Sequence, residues 1–409
     1  MRRRDERSAG WAAECAARQG YGKLVAFLAA RTGNVAAAED ALADAFAAAL
    51  ADWPNSGVPR NPQAWLMAVA KRRLIDAARR RRTRGDAADH LRLVAEELSE
   101  DGDADIPDRR LGLMFACAHP AIDAAVRAPL MLQTILGFDA AAIASAFLVS
   151  PATMGQRLVR AKQKIRQAGI PLRVPDPEEL PERLDAVLAA IYAAFAAEWS
   201  EIGNLADEAI WLGRLVVALL PEEAEALGLL ALMLHVAARR DARRDAAGGY
   251  VPLAEQDTGL WDAAMIDEAE AMLGDASRLG VIGRYQLEAA VQSVHAARRM
   301  TGRTDWTAIE RLYAALASIT DSVVIAINHA VAIGEVAGPE AGLVRLDALS
   351  GDARVMEYQP YWAARADLLS RAGEAGTAGA AYQRAIGLAS DDAVRMFLQS
   401  RLYRLSVYN

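Results

Sequence analysis

Apolar side chains return at three- and four-residue steps along most of this 409-residue chain, and that period commits it to helices. The clearest case is Leu184, Val187, Leu188, Ile191, Tyr192 and Phe195, one face of an amphipathic helix opened by Pro181. Composition agrees. Alanine, the best helix former, is abundant, aromatics are only 6%, and a 53% apolar content supplies a core without difficulty. The two cysteines, Cys15 and Cys117, suggest no disulfide framework and fit a reducing cytoplasm. Met1-Arg2-Arg3-Arg4-Asp5 leads into no apolar signal region. The most apolar stretch, Ala226 to Ala238, is too short to span a bilayer, and Pro221, Glu222, Glu223 and Glu225 precede it. The expectation is an all-α cytoplasmic protein with no membrane contact.

Local signals divide the chain. Residues 11–50 read as two helices broken at Thr32-Gly33-Asn34, and Trp53-Pro54-Asn55-Ser56-Gly57-Val58-Pro59 reads as a loop. Asn61 then caps a helix with Pro62 in its first turn; that helix is expected to bury Trp65, Leu66, Val69 and Ile75. Short helices follow at Leu111–Ala118, Ala124–Leu136, Ala140–Phe147 and Pro151–Gln167, and a proline-rich stretch from Leu172 to Pro181 marks the next boundary. Towards the C-terminus, Tyr313 and Tyr382 stand 69 residues apart, about two units of a 34-residue helical hairpin. Trp362, Leu369, Gly373, Ala378, Tyr382, Ala385 and Ile386 take the large and small positions of two closely packed antiparallel helices.

Charge is divided as sharply. Residues 1–175 hold 26 Lys+Arg against 19 Asp+Glu, whereas residues 176–409 hold 20 against 34. The chain as a whole stands at −7, so a basic N-terminal part sits in an acidic protein and points to a polyanion partner. The basic residues concentrate in Lys71-Arg72-Arg73, Arg79-Arg80-Arg81-Arg82 and Arg84. Between residues 86 and 108 lie nine acidic side chains and one arginine. A second basic region occupies 151–168, with no acidic side chain. Ala140–Phe147, the turn Leu148-Val149 and a helix capped by Ser150 have helix-turn-helix spacing. On that second helix Thr153, Gln156, Arg157 and Arg160 are placed to read a major groove, where Gln suits adenine and Arg suits guanine. Arg160, Lys162, Lys164 and Arg166 add a phosphate-facing flank.

Enzyme signatures fail. Gly20-Tyr21-Gly22-Lys23-Leu24 lacks the leading glycine and the Ser or Thr of a phosphate loop, and no Gly-x-Ser-x-Gly occurs. Gly373, Gly376 and Gly379 suit a repeat turn and close helix packing better than a dinucleotide loop. Cys117 and His119 have no second ligand pair, and His90, His235, His295 and His329 show no metal spacing. Neither a catalytic residue, a metal nor a cofactor is expected.

Several motifs together resemble a known family, the extracytoplasmic-function sigma factors (group IV of the sigma-70 family), promoter-recognition subunits of bacterial RNA polymerase. Ala38-Glu39-Asp40-Ala41-Leu42-Ala43-Asp44-Ala45-Phe46 resembles the helix that docks on the polymerase β′ clamp. Asn61-Pro62-Gln63-Ala64-Trp65-Leu66, continuing through Ile75-Asp76-Ala77-Ala78-Arg79-Arg80, resembles the segment that melts and reads the −10 element. Residues 140–166 resemble the −35 reader. Ala116-Cys117-Ala118-His119-Pro120, the run from Ala161 to Pro171 and the long helical tail resemble a subgroup with a C-terminal tetratricopeptide-like extension.

The resemblance implies two small helical sigma domains followed by a larger helical repeat. Region 2 falls at 8–85, an acidic linker at 86–108, region 4 at 109–172 and the tetratricopeptide-like domain at 178–409. It implies −10 contacts from Asn61, Trp65, Lys71, Arg72, Arg73, Asp76, Arg79 and Arg80, and −35 contacts from Thr153, Gln156, Arg157, Arg160 and Lys164. Glu39, Asp40 and Asp44 are the implied contacts to core polymerase, whose β′ clamp and β subunit are the partners together with promoter DNA. The tail would be an in-chain regulator or the seat of a protein or small-molecule ligand.

The residues leave choices open. Trp65 either stacks on an unpaired base or joins the core; Asp40 and Asp44 either meet a basic clamp surface or are solvated carboxylates. The linker is either a mimic of RNA in a basic channel or a self-repelling tether. Three positions depart from the family: Ala43 where related factors carry Gln, Arg72 where they often carry Asn, and Ala337-Gly338-Pro339 where the subgroup has Asp-Gly-Pro. The −10 sequence therefore does not transfer from better-known relatives. A stand-alone helix-turn-helix regulator and a sensor scaffold without sigma activity are the alternatives.

Overall fold

A computed structural model describes residues 2–82, 106–147, 149–196 and 205–407. Among these residues the regular structure is helical, apart from one isolated bridge between Arg244 and Tyr250. The chain divides into two compact units, Met1–Leu212 and Gly213–Asn409.

In the first unit α1 (Arg2–Thr32) and α2 (Val35–Ser56) are separated where the breakers predict. Gly33 takes φ +62 and its N–H bonds the Ala29 carbonyl at 2.8 Å, ending α1 in a left-handed residue. Asn34 then caps α2, its Oδ1 accepting from the Ala37 N–H at 3.2 Å. The expected loop at 53–59 is a correction: α2 continues to Ser56 with Pro54 inside it. Trp53, 2% exposed, packs edge-to-face on Trp65 at 5.5 Å, and burying that indole outweighs the one backbone bond that Pro54 cannot make. Helix α3 (Pro62–Arg82) starts as predicted, with Asn61 Oδ1 accepting from the Ala64 N–H at 3.1 Å. It buries Leu66, Met67, Ala70 and Leu74, while Trp65, Val69 and Ile75 are half-buried.

Helices α4 (Arg110–Cys117), α5 (Ala124–Leu136), α6 (Ala140–Ala146) and α7 (Pro151–Gln167) form the second part of this unit. Helix α8 (Leu180–Ala196) packs on α4 and α5, so the unit runs past the prolines that mark the sequence boundary near 172–178. Its buried face is the predicted one, Leu184, Val187, Leu188, Ile191 and Phe195. Helix α9 (Leu205–Leu219) spans the division between the units.

In the second unit α10 (Ala224–Ala237) is almost wholly buried among α11 (Ala263–Arg278) and α12 (Arg284–Ala296). Glu225 caps α12 from α10, its carboxylate accepting from the Tyr285 and Gln286 N–H groups at 2.9 and 3.1 Å. The rest is a succession of helices on short turns: α13 (Arg298–Thr301), α14 (Trp306–Ile319), α15 (Val323–Ala337), α16 (Pro339–Asp347), α17 (Ala353–Met356), α18 (Gln359–Arg371), α19 (Ala375–Leu388) and α20 (Asp392–Val407). Gly338, at φ +97, followed by Pro339 turns α15 into α16. Gly373, at φ +82, turns α18 into α19, whose Ala378, Tyr382 and Ala385 pack with Leu369 in one core.

Candidate nucleic-acid interface

The residues expected to meet DNA or polymerase all fall in the first unit, on α2, α3 and α7. On α3 the apolar stripe Leu66, Ala70 and Leu74 turns Arg72, Arg73 and Asp76 outward, and all three are exposed. Arg73 stands 3.9 Å from Asp44 of α2, an exposed pair that high dielectric makes weak. Lys71 is a correction. It is 9% exposed, with its ammonium 5.5 Å from the centre of the Phe27 ring, so it belongs to the core edge and not to the open face of α3. Trp65 is half-buried against Trp53 and contributes to packing, and the Asn61 side chain is occupied in its cap. The side chains of Arg79 and Arg80 lie outside the described residues, as does residue 86–105 of the acidic linker.

Helix α7 is built from its cap outward. Ser150 accepts from the Thr153 N–H at 3.1 Å, and Pro151 occupies the first turn. Met154, Leu158, Ala161 and Ile165 form the buried stripe. That phase leaves Thr153, Gln156, Arg157, Arg160 and Lys164 exposed, a polar and basic row along one helix. The turn before it closes on α6 through the Val149 N–H and the Ala144 carbonyl, 3.0 Å apart; Leu148 lies outside the described residues.

Lys162 is the second correction. Expected on the phosphate-facing flank, it turns inward and places its ammonium 2.7 Å from Glu39 of α2 and 2.8 Å from Gln133 of α5. The pair is nearly sealed, with side-chain exposures of 12% and 13%. Burial raises the Glu39 pKa, while Lys162 pulls it back toward the charged form. Asp40 and Asp44 remain exposed on the same helix, as does Ala43. Of the three acidic residues expected to contact polymerase, Glu39 is therefore already engaged within the chain.

Sequence reasoning missed the partners that hold α7 in this position. Gln133 carries no signal, because its partner is 29 residues away. Gly20-Tyr21-Gly22, set aside as a phosphate loop, is a helix-packing seat: a Cβ on Gly22 would lie 2.2 Å from the Ile135 carbonyl oxygen of α5. A Cβ on Gly137 would lie 3.1 Å from the Tyr21 ring.

Cys117 behaves as a core residue. Its Sγ lies 3.4 Å from Thr134 Oγ1 in a fully buried site, and burial pushes the thiol up to about 12. His119 Nδ1 accepts from the Ala121 N–H at 3.1 Å, a local cap. Among the described residues no three His, Cys, Asp or Glu side chains gather to hold a metal, and no helix is long and apolar enough to cross a membrane. In the second unit an open cavity of about 690 Å³ is lined by Arg303, Asp305, Trp306 and Glu335 with their neighbours.

Comparison with known proteins adds four findings. Residues 183–277 match a family of unknown function, DUF6596. A protein of Rhizobium meliloti (strain 1021), described as uncharacterized, is 38% identical over 389 residues, covering 91% of each chain. No solved structure matches. Residues 17–84 match sigma-70 region 2, which spans the second half of α1 and all of α2 and α3 with the exposed Arg72 and Arg73, so this part of the chain is similar to the region 2 domain of the sigma-70 family.

Proposed function

We propose that this protein is a sigma factor of the extracytoplasmic-function type that binds core RNA polymerase and directs it to promoters. One observation carries the reading beyond the family match. A capped helix, α7, presents Thr153, Gln156, Arg157, Arg160 and Lys164 on one open face, and it shares a unit with sigma-70 region 2. In this reading α7 is the −35 reader. Its early Gln and Arg side chains are of the length and type that address base edges, and its later Arg and Lys suit phosphates. Arg72 and Arg73 face the −10 strands, and the exposed Asp40 and Asp44 contribute to the surface that meets the β′ clamp.

The second unit, helical and entered by the 183–277 family match, is proposed as a tetratricopeptide-like regulatory domain, whose cavity at Trp306 is a place for a ligand. Reconstituting the full chain with core polymerase and sequencing the transcripts it starts tests the sigma reading. New start sites sharing two upstream elements are expected, and their absence refutes it. Removing residues 213–409 tests the tail; unchanged transcription would exclude a regulatory role. A cut at 176 would strip α8 from α4 and α5 and damage the DNA-reading unit itself.

A further inference from the structure

We propose that the second unit holds a small oxyanion, a phosphate or carboxylate group, on the buried guanidinium of Arg239, where the end of α10, the end of α12 and the segment between α10 and α11 meet. The site is separate from the cavity at Trp306, which none of its residues lines, and it stands independently of the sigma reading.

Orphaned polar atoms point to this place. Among the described residues of the second unit, the buried side-chain atoms without a hydrogen-bond partner are His235 Nδ1 and Nε2, Arg239 Nη1, Gln256 Oε1 and Trp261 Nε1. All lie in one neighbourhood. His235 and Arg239 are four residues apart at the end of α10, and His235 Nε2 stands 3.4 Å from Glu270 without the alignment of a hydrogen bond. The Asp262 N–H returns to the Ala238 carbonyl at 2.8 Å, which seats Trp261 in a core with Ala238, Ala242 and Ala296. Arg298 lies over the Trp261 ring at 5.0 Å and donates to the Gln256 carbonyl at 2.8 Å. Buried polar groups are nearly always satisfied, so orphans gathered in one place indicate a partner from outside the chain.

Charge decides which partner. Arg239 is 7% exposed, and its Nη2 donates to the Gln292 side-chain carbonyl at 2.5 Å, a neutral acceptor. Among the described residues no carboxylate pairs with it, and the cations that bear on it are Arg243 and Arg298. Burial beside them lowers its pKa to about 10, so it stays charged near neutral pH. Carboxylates of the region are engaged elsewhere: Glu255 with Arg401, Asp391 with Arg244 and Asp267 with Arg299. A buried charge without a counterion is costly, and water would satisfy its N–H groups but leave the charge. An oxyanion answers both, and its paired oxygens match the guanidinium fork. Arg239 Nη1 and Trp261 Nε1 can only donate, as an acceptor-rich ligand requires. Arg243 and Arg298, both half-buried, extend the positive charge from Arg239 towards solvent and favour entry of an anion.

Calorimetric titration of the full chain with inorganic phosphate, and separately with acetate, tests this at an ionic strength fixed with chloride. Saturable binding of at least one is expected, and the tighter of the two names the source, phosphoryl or carboxylate. With the anion at a hundred times its dissociation constant, amide exchange in residues 235–243 and 291–298 should slow by up to about a hundredfold. Arg239→Met should abolish binding. Gln292→Glu sets a carboxylate of nearly the same shape against Arg239 from within the chain, so it should weaken binding roughly tenfold or more. That variant carries the test if Arg239→Met misfolds. No saturable binding of either anion overturns the proposal, as does binding that Gln292→Glu leaves unchanged or slowed exchange that added chloride reproduces. The orphaned groups would then face ordered water only.

Discussion

Arg183 decides whether α8 belongs to the same packed body as α4, and its replacement by methionine should loosen the first unit measurably. Its Nη2 donates to the Phe115 carbonyl at 2.7 Å, and the residue is buried. Phe115 lies in the last turn of α4, where carbonyls have no N–H of their own helix to accept from, so the guanidinium caps that end. A hydrogen bond to a charged group contributes about 1.5–3 kcal/mol, and a cation at a helix C-terminus adds about 0.3–1 kcal/mol. Against this stands desolvation, which lowers the Arg183 pKa and leaves Nε buried without a partner. Methionine keeps most of the volume and removes the charge, so a net loss of about 2 kcal/mol is expected.

In a chain of two units a single unfolding midpoint is a poor measure, and backbone hydrogen exchange resolved by segment is the suitable assay. Two kcal/mol corresponds to about 30-fold faster exchange through local opening, expected in residues 110–117 and 180–196 together and absent from the second unit. Arg183→Lys should fall between, because an ammonium keeps the charge but not the planar fork. Equal exchange in wild type and Arg183→Met would refute the capping argument. Acceleration of 180–196 alone would show that α8 is not what steadies α4.

In the second unit Gly228→Ala should cost about 1–3 kcal/mol in urea unfolding, since a Cβ there would lie 2.6 Å from the Gln286 backbone nitrogen. Acid should destabilise the same unit. Burial lowers His235 and His295 to about 4, below the ordinary value near 6.5, so both are neutral in the folded state over that interval. Stability is then full above about pH 6.5 and lost as pH falls from there towards 4, by roughly 3 kcal/mol for each group. His235→Asn should flatten that limb in thermal melts taken at several pH values, and an unchanged limb would contradict the assignment.

Local chemistry made the helix starts legible. Thr32-Gly33-Asn34, Asn61-Pro62 and Ser150-Pro151 each state a break or a cap within a few residues, and each is found where it was expected. Trp53 was illegible for the opposite reason: its burial against Trp65 is tertiary, whereas Pro54 and Gly57 are local signals pointing to a loop. Lys71 was legible but overlooked. It follows Met67 by four residues and adjoins Ala70, so its helical phase puts it on the buried edge despite its basic neighbours. Glu39, four residues after Val35, had the same warning. Their partners were out of reach, because Lys162 is 123 residues from Glu39.

These corrections change what the basic regions consist of. Lys71 and Lys162 have long apolar stems that follow the core edge before ending near a ring or on a carboxylate. The described arginines of α3 and α7 that flank them, Arg72, Arg73, Arg157 and Arg160, remain exposed. Charge counted along the sequence therefore overstates the exposed basic face, and what is left is mainly guanidinium, joined by Lys164. Guanidinium is planar, resists deprotonation and meets phosphate or guanine through paired hydrogen bonds, so it keeps its register on DNA where an ammonium acts as a point charge.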